Sequence, residues 1–212
     1  MNKMNLLPST QICLFAHELL LNNFIDLYNK NKLPNKIILS GEKGIGKSTL
    51  AYHLVNYILS KNEDFSYDLV NYQISPENKS YKLLQNNINP NFYLIDILKD
   101  KKNIDINQIR NLIIELNKSS FNLKPRFVLI DNIELLNTNS INALLKVLEE
   151  PNYNVNFILI NNNKRVLPTL KSRCLNFKVF ISYEETIKII NKLLNDDIFD
   201  LINNELLNNY AT

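Results

Sequence analysis

An α/β fold built on a parallel sheet, with helices on both faces, follows from three features of the 212-residue sequence. Short apolar runs of strand length alternate with longer runs at helical spacing. The first such strand is joined to its helix by SGEKGIGKSTL, Ser40 to Leu50. That stretch contains Gly41, Gly44 and Gly46, which are all three glycines of the chain.

The elements are expected in the following order. Asn35 to Ser40 (NKIILS) is a strand that ends at the glycines, and Ser48 to Leu59 continues as a helix with Leu50, Ala51, Leu54, Val55 and Ile58 on one face. Phe92 to Ile97 (FYLIDI) is a second strand. Ile104 to Leu116 places Ile106, Ile109, Leu112, Ile113 and Leu116 on one helical face, with Asp105 as its cap. Phe127 to Ile130 (FVLI) is a third, buried strand ending at Asp131. Thr138 or Asn139 caps a helix through Ile141, Leu144, Leu145 and Leu148 that stops before Pro151. Val155 to Ile160 is a fourth strand, Thr169 to Ser172 a helical turn, and Leu175 to Phe180 (LNFKVF) a fifth strand. From Tyr183 onward the chain reads as helical and polar. The expected organisation is therefore an α/β domain over residues 1–180 and a small helical segment over 181–212.

Composition narrows the function classes. Apolar residues make up 45% of the chain, ample for a core, and 24 Lys plus Arg stand against 21 Asp plus Glu. That balance is too even to attract nucleic acid or an anionic membrane by net charge. Lys99, Lys101 and Lys102, interrupted by Asp100, read as a solvated loop. Asparagine is abundant, as in Asn161 to Asn163, and with the Ile and Lys excess this reads as the nucleotide bias of an AT-rich genome. The same bias suppresses glycine, so the glycines that remain mark places where the backbone has no substitute. Cys13 and Cys174 have no metal-ligand spacing. With no leader-like opening and no apolar stretch of about 18 residues, a cytoplasmic protein is expected, with no membrane partner.

Gly41 to Ser48 fits G-x-x-x-x-G-K-[ST], and its place between a strand and a helix makes it a phosphate-binding loop. A backbone without side chains can wrap a phosphate chain, while the following helix presents its positive end to the anion. Lys47 reaches the β- and γ-phosphates, Ser48 ligates Mg²⁺, and Thr49 steadies the helix start. Asp131, at the C-terminal end of an apolar strand, supplies the second acidic element for the metal. Asn132 then stands where a water-activating ATPase often has glutamate, and a neutral amide cannot accept a proton. Glu134, two residues further along an extended segment, should face the opposite way from the position next to Asn132 and be a poor substitute. ATP binding with weak or absent turnover is the expectation.

Three blocks in order, VLIDNIELLNTNSINALLKVLEEP, FILINNN and LPTLKSRC, resemble the AAA+ clamp-loader family of bacterial DNA polymerase III. With LFAHE (Leu14 to Glu18), NKLPNKIILSGEKGIGKST and IDINQIR (Ile104 to Arg110), the arrangement is most similar to delta-prime subunits, and gamma/tau is second. The resemblance implies a P-loop NTPase (AAA+) fold with a five-stranded parallel sheet in order 5-1-4-3-2, followed by the start of a helical lid. It implies Lys47 and Ser48 as Walker A residues, Asp131 as the Walker B aspartate, and Asn161 or Asn162 as the sensor of the γ-phosphate. It implies that Arg173, within Ser172-Arg173-Cys174, reaches in trans into the site of a neighbouring subunit. The implied cofactors are ATP and Mg²⁺. The implied partners are other clamp-loader subunits in a hetero-oligomer and, indirectly, the sliding clamp and primed DNA.

Two departures from the family pattern stand out. Lys61 to Asn91 holds no cysteine, so the family's four-cysteine zinc module is not expected. The chain ends at Thr212, where the family continues into a collar domain, which suggests a truncated form or parts supplied by another chain. A stand-alone P-loop AAA+ ATPase of another DNA transaction and a non-hydrolysing interaction module are the alternative readings.

Overall fold

A computed structural model describes residues 7–119, 122–149, 154–162 and 164–193. Pro151, Asn163 and residues 194–212 of the expected helical segment lie outside them. The strands are β1 (Lys36–Gly41), β2 (Phe92–Ile95), β3 (Arg126–Ile130), β4 (Val155–Asn162) and β5 (Leu175–Lys178). The helices are α1 (Glu18–Asn29), α2 (Lys47–Ser60), α3 (Lys79–Gln85), α4 (Ile106–Asn117), α5 (Thr138–Glu149), α6 (Pro168–Lys171) and α7 (Tyr183–Leu193). Every strand pairing is parallel, and the order β2-β3-β4-β1-β5 is the expected 5-1-4-3-2 read from the other edge. The C-terminal ends of β1, β4 and β3 therefore lie side by side, and it is there that ligands of such sheets collect.

The sheet is buried on both faces, which explains why its strands read as continuous apolar runs. Ile37 and Leu39 of β1, Phe127 and Leu129 of β3, and Ile158 and Ile160 of β4 pack into one cluster with Leu21, Phe24 and Ile25 of α1 and Leu50, Leu54 and Ile58 of α2. The intervening Ile38, Val128, Ile130, Phe157 and Leu159 pack into the other with Ile109, Leu112 and Leu116 of α4 and Leu144 and Leu148 of α5. Alternate residues of a strand point to opposite faces, so each central strand feeds both layers.

Local differences from expectation have local causes. β4 runs two residues beyond Ile160 because β1 continues alongside it, pairing Ser40 with Asn161 and Gly41 with Asn162. Asp105 caps α4 in a capping box with Gln108, as expected. For α5 the cap is neither Thr138 nor Asn139. Asn137 Oδ1 accepts from the Ser140 N–H at 2.8 Å, the N3 position that a capping side chain reaches. α1 and α3 were not foreseen, although Leu21, Phe24 and Ile25 have helical spacing. Lys99, Lys101 and Lys102 are exposed, as a solvated loop should be. Among the described residues no helix is long and apolar enough to cross a membrane.

Contacts divide the chain into two compact units, with the boundary between Val179 and Phe180. In the second, α7 opens with Ser182 and Glu185 capping each other: the Ser182 N–H donates to Glu185 Oε2 at 2.8 Å, and the Glu185 N–H to Ser182 Oγ at 3.2 Å.

The segment after α2, which carries no cysteine, is held by polar contacts. Asn78 Oδ1 caps α3 through the Tyr81 N–H at 2.7 Å and accepts from Asn56 Nδ2 at 3.0 Å. Glu63 accepts from Ser80 Oγ at 2.8 Å and from Lys124 Nζ at 2.9 Å. His53 is fully buried, with Nε2 3.2 Å from Gln11 O and Nδ1 2.8 Å from the Tyr67 hydroxyl. A carbonyl only accepts, so Nε2 carries the proton and Nδ1 accepts from Tyr67.

Burial pushes the His53 pKa from 6.5 down to about 4. The folded state is at full strength above about pH 6.5 and loses stability as pH falls toward about 4. That gap corresponds to roughly 3 kcal/mol. Urea midpoints measured at intervals between these pH values should fall more steeply for the parent chain than for His53→Gln; parallel curves would refute this role for His53.

Candidate nucleotide-binding site

The glycine stretch turns β1 into α2 as the sequence requires. Gly44 and Gly46 have φ of 89° and 88°, backbone that other residues adopt only with strain. Gly41 is needed for a different reason: a Cβ there would stand 2.2 Å from the Val179 carbonyl oxygen. Gly46 is the N-cap of α2 and, being glycine, brings no side chain to the cap. Thr49, in the first turn of that helix, lines a cleft of about 270 Å³, together with Gly44, Gly46, Lys47, Ser48, Asp131, Asn132 and Asn162. The first N–H groups of α2 have no partner within the helix and are oriented for an anion.

Lys47 is 3% exposed. Its Nζ donates to Gly41 O at 2.9 Å and also to Glu42 O. Burial pushes the ammonium below the usual lysine range, and the carboxylates of Asp131, Glu134 and Glu42 oppose that shift. Ser48 Oγ donates to Asp131 Oδ2 at 2.5 Å, bringing together residues 83 positions apart. Burial raises the Asp131 pKa, the Ser48 bond opposes this, and the Asp96 charge adds to it. A hydroxyl and a carboxylate are hard oxygen donors, the ligand class that Mg²⁺ takes alongside phosphate. A buried lysine held only by backbone carbonyls is a cation ready to exchange them for phosphate oxygens. The residues present thus fit a magnesium nucleotide.

Between the two asparagines at the end of β4, the geometry separates their surroundings. Asn161 is buried, and its Nδ2 donates to Lys164 O at 2.8 Å. Asn162 faces the cleft.

Glu134 is a correction. The chain after Asp131 is not extended: Asn132 is left-handed at φ 54°, and Ile133–Leu135 form a 3-10 turn. The turn brings Glu134 Oε1 to 2.9 Å from Asn162 Nδ2, beside Asn132 Oδ1, which accepts from the same nitrogen at 2.8 Å. Asparagine adopts left-handed backbone more readily than most residues, and that was the available signal.

His17 was also missed. It precedes α1 at φ 70°, and its Nε2 donates at 2.6 Å to the carbonyl of Ile45, inside the glycine stretch. Only tertiary structure brings these two together.

Arg173, just beyond the C-cap of α6, is not among the residues lining the cleft. Its Nε lies 3.1 Å from Glu149 Oε1, to which Nη2 also donates, and Nη1 donates to Thr169 O at 3.0 Å.

Comparison with known proteins adds to this geometry. A family model described as DNA polymerase III, delta subunit, matches residues 16–180. DNA polymerase III subunit delta' of Pseudomonas aeruginosa is 32% identical over 138 residues, covering 65% of this chain and 40% of that protein. DNA polymerase III subunit gamma/tau of Mycoplasma genitalium is 33% identical over 154 residues, covering 72% of this chain and 24% of that protein. The chain thus spans less than half the length of these relatives. Among solved structures, a DNA polymerase III gamma subunit-related protein of Thermotoga maritima superposes with a TM-score of 0.53 at 22% identity, covering 76% of this chain and 47% of that one. That likeness shows the fold.

Proposed function

The chain belongs to the DNA polymerase III delta-subunit family of clamp-loader proteins, and on that premise we propose that it is an ATP-binding, delta-prime-like clamp-loader subunit. It helps to load the sliding clamp onto primed DNA and supplies Arg173 to a neighbouring subunit. The observation that carries the reading is the 2.5 Å contact of Ser48 Oγ with Asp131 Oδ2 in the lining of the cleft. It joins the phosphate loop to the acidic strand end that such loops work with.

In this reading Lys47 and the first N–H groups of α2 hold the β- and γ-phosphates, and Ser48 and Asp131 hold Mg²⁺. Bound there, Mg²⁺ neutralises charge on the phosphates. Asn162, rather than the buried Asn161, senses the γ-phosphate. Asn132 orients water without taking its proton, so turnover by this chain alone is slow. The same residue favours a second reading, in which the nucleotide is a structural ligand that fixes the subunit's shape without being hydrolysed. The working partners are the other clamp-loader subunits in the cytoplasm, with the clamp and DNA reached through them.

The test is size-exclusion chromatography of the chain mixed with the other clamp-loader subunits of its source, with and without Mg-ATP. Co-elution that strengthens with ATP is expected. Separate elution under both conditions would overturn the assembly reading.

A further inference from the structure

A chain of side-chain hydrogen bonds crosses the ends of β2, β3 and β4. Asn132 Nδ2 donates to Asp96 Oδ1 at 2.7 Å. Asn162 Nδ2 donates to Asn132 Oδ1 at 2.8 Å and to Glu134 Oε1 at 2.9 Å. The Asn162 backbone N–H donates to Glu134 Oε2 at 3.3 Å. Asp96 is itself fixed, its Oδ1 accepting from the Ile97 N–H at 2.7 Å and its carbonyl from Gln108 Nε2 at 2.8 Å.

A carboxamide has two N–H donors. With one directed to Asn132 and the other to Glu134, Asn162 has none left for a ligand. Yet Asn162 lines the cleft with Lys47 and Ser48 and sits opposite Gly41 in the sheet register. A phosphate oxygen can be received by Asn162 only if one of these bonds is given up. The bond to Glu134 is the one for which a phosphate is a like replacement, since both acceptors are anionic oxygens.

We propose that Glu134 is a positioning residue through which the site distinguishes a nucleoside triphosphate from a diphosphate: it holds Asn162 Nδ2 until a terminal phosphate oxygen takes that donor over. The inference rests on the nucleotide reading of the cleft. A ligand can shift such an equilibrium only by its differential affinity for the two arrangements. The third phosphate supplies that difference, and a diphosphate lacks the competing group. The clamp on Asn162 therefore weakens triphosphate binding and leaves diphosphate binding unaffected.

The test is a double-mutant cycle read by calorimetric titration of Mg-ATP and Mg-ADP into the parent chain, E134A, N162A and the double variant. In E134A the ratio of ATP to ADP affinity should rise about tenfold, the size of one charge-assisted hydrogen bond. In the N162A background the same substitution should raise the ratio far less, by the loss of the Glu134 charge near Lys47 alone, so that most of the effect appears as coupling between the two positions. An equal rise with and without Asn162 would mean that Glu134 acts by charge repulsion alone, and the proposal would be wrong. An unchanged ratio in E134A, with both nucleotides still binding, would defeat the role of Glu134 and leave the nucleotide reading standing. A parent chain that binds neither nucleotide would defeat that reading and this inference together.

Discussion

The Lys47→Ala chain is expected to lose about 30-fold or more of the parent's affinity for Mg-ATP. Lys47 is the buried cation of the cleft, held by the carbonyls of Gly41 and Glu42. The carboxylates of Asp131, Glu134 and Glu42 are close enough to act on its ionisation. Without the ammonium, a triphosphate would meet these carboxylates with only backbone amides and Mg²⁺ to offset them. Removing one member of a buried, hydrogen-bonded charge pair costs about 2–5 kcal/mol, or roughly 30- to several-thousand-fold in affinity. A ligand at 100 times its dissociation constant stabilises the folded state by about 2.7 kcal/mol. For a domain of this size that is a rise of roughly 5–10 °C in the unfolding midpoint. The parent should show this rise on adding Mg-ATP, and Lys47→Ala should show at most about a third of it. An equal rise in both chains would mean that the nucleotide is held elsewhere.

The residues that could be read in advance are those whose partners are set by pattern. The strands of the sheet, the glycine turn, and the places of Lys47, Ser48 and Asp131 depend on local spacing and on the position of a loop at a strand end, whereas the strand order came only from the family resemblance. The central strands were legible because burial on both faces leaves a continuous apolar run, as in Phe127 to Ile130. Misjudged features depended on backbone conformation or on contacts distant in sequence. Glu134 is expected on an extended chain, whereas the left-handed Asn132 and the 3-10 turn that follows it carry its carboxylate to Asn162. His17 reaches Ile45 across 28 positions, and no local pattern encodes such a contact. For α5, several residues in NTNS were plausible caps, and only the Asn137 hydrogen bond distinguishes among them. That Asn162 lines the cleft while Asn161 is buried follows from the alternation of a strand two residues longer than its apolar run.

Arg173→Ala is expected to abolish the stimulation that this chain gives to the ATPase of a hydrolysis-competent partner subunit while leaving its own nucleotide affinity nearly unchanged. The placement of the side chain argues for action in trans. α6 leads into β5, the edge strand beyond β1, and Arg173 does not line its own chain's cleft. In the isolated chain its guanidinium is held by Glu149, with side-chain exposures of 30% and 51%. A pair as exposed as this is worth only about 0–1 kcal/mol, so exchanging Glu149 for a phosphate on an adjacent subunit carries little penalty. A planar, permanently charged fork can bind two phosphate oxygens at once and stabilise the charge that develops during transfer. Lysine cannot reproduce that geometry, so Arg173→Lys should restore little of the lost stimulation. Arginine fingers in phosphoryl transfer contribute about 10³- to 10⁵-fold in rate, a loss that would be visible even with a weakly associating partner. The measurement is steady-state ATP hydrolysis by the partner, titrated with parent or variant chain, together with nucleotide binding by each chain alone. If Arg173→Ala stimulates the partner as well as the parent does and has lost its own affinity for ATP, the arginine acts in cis and the proposed assembly is wrong.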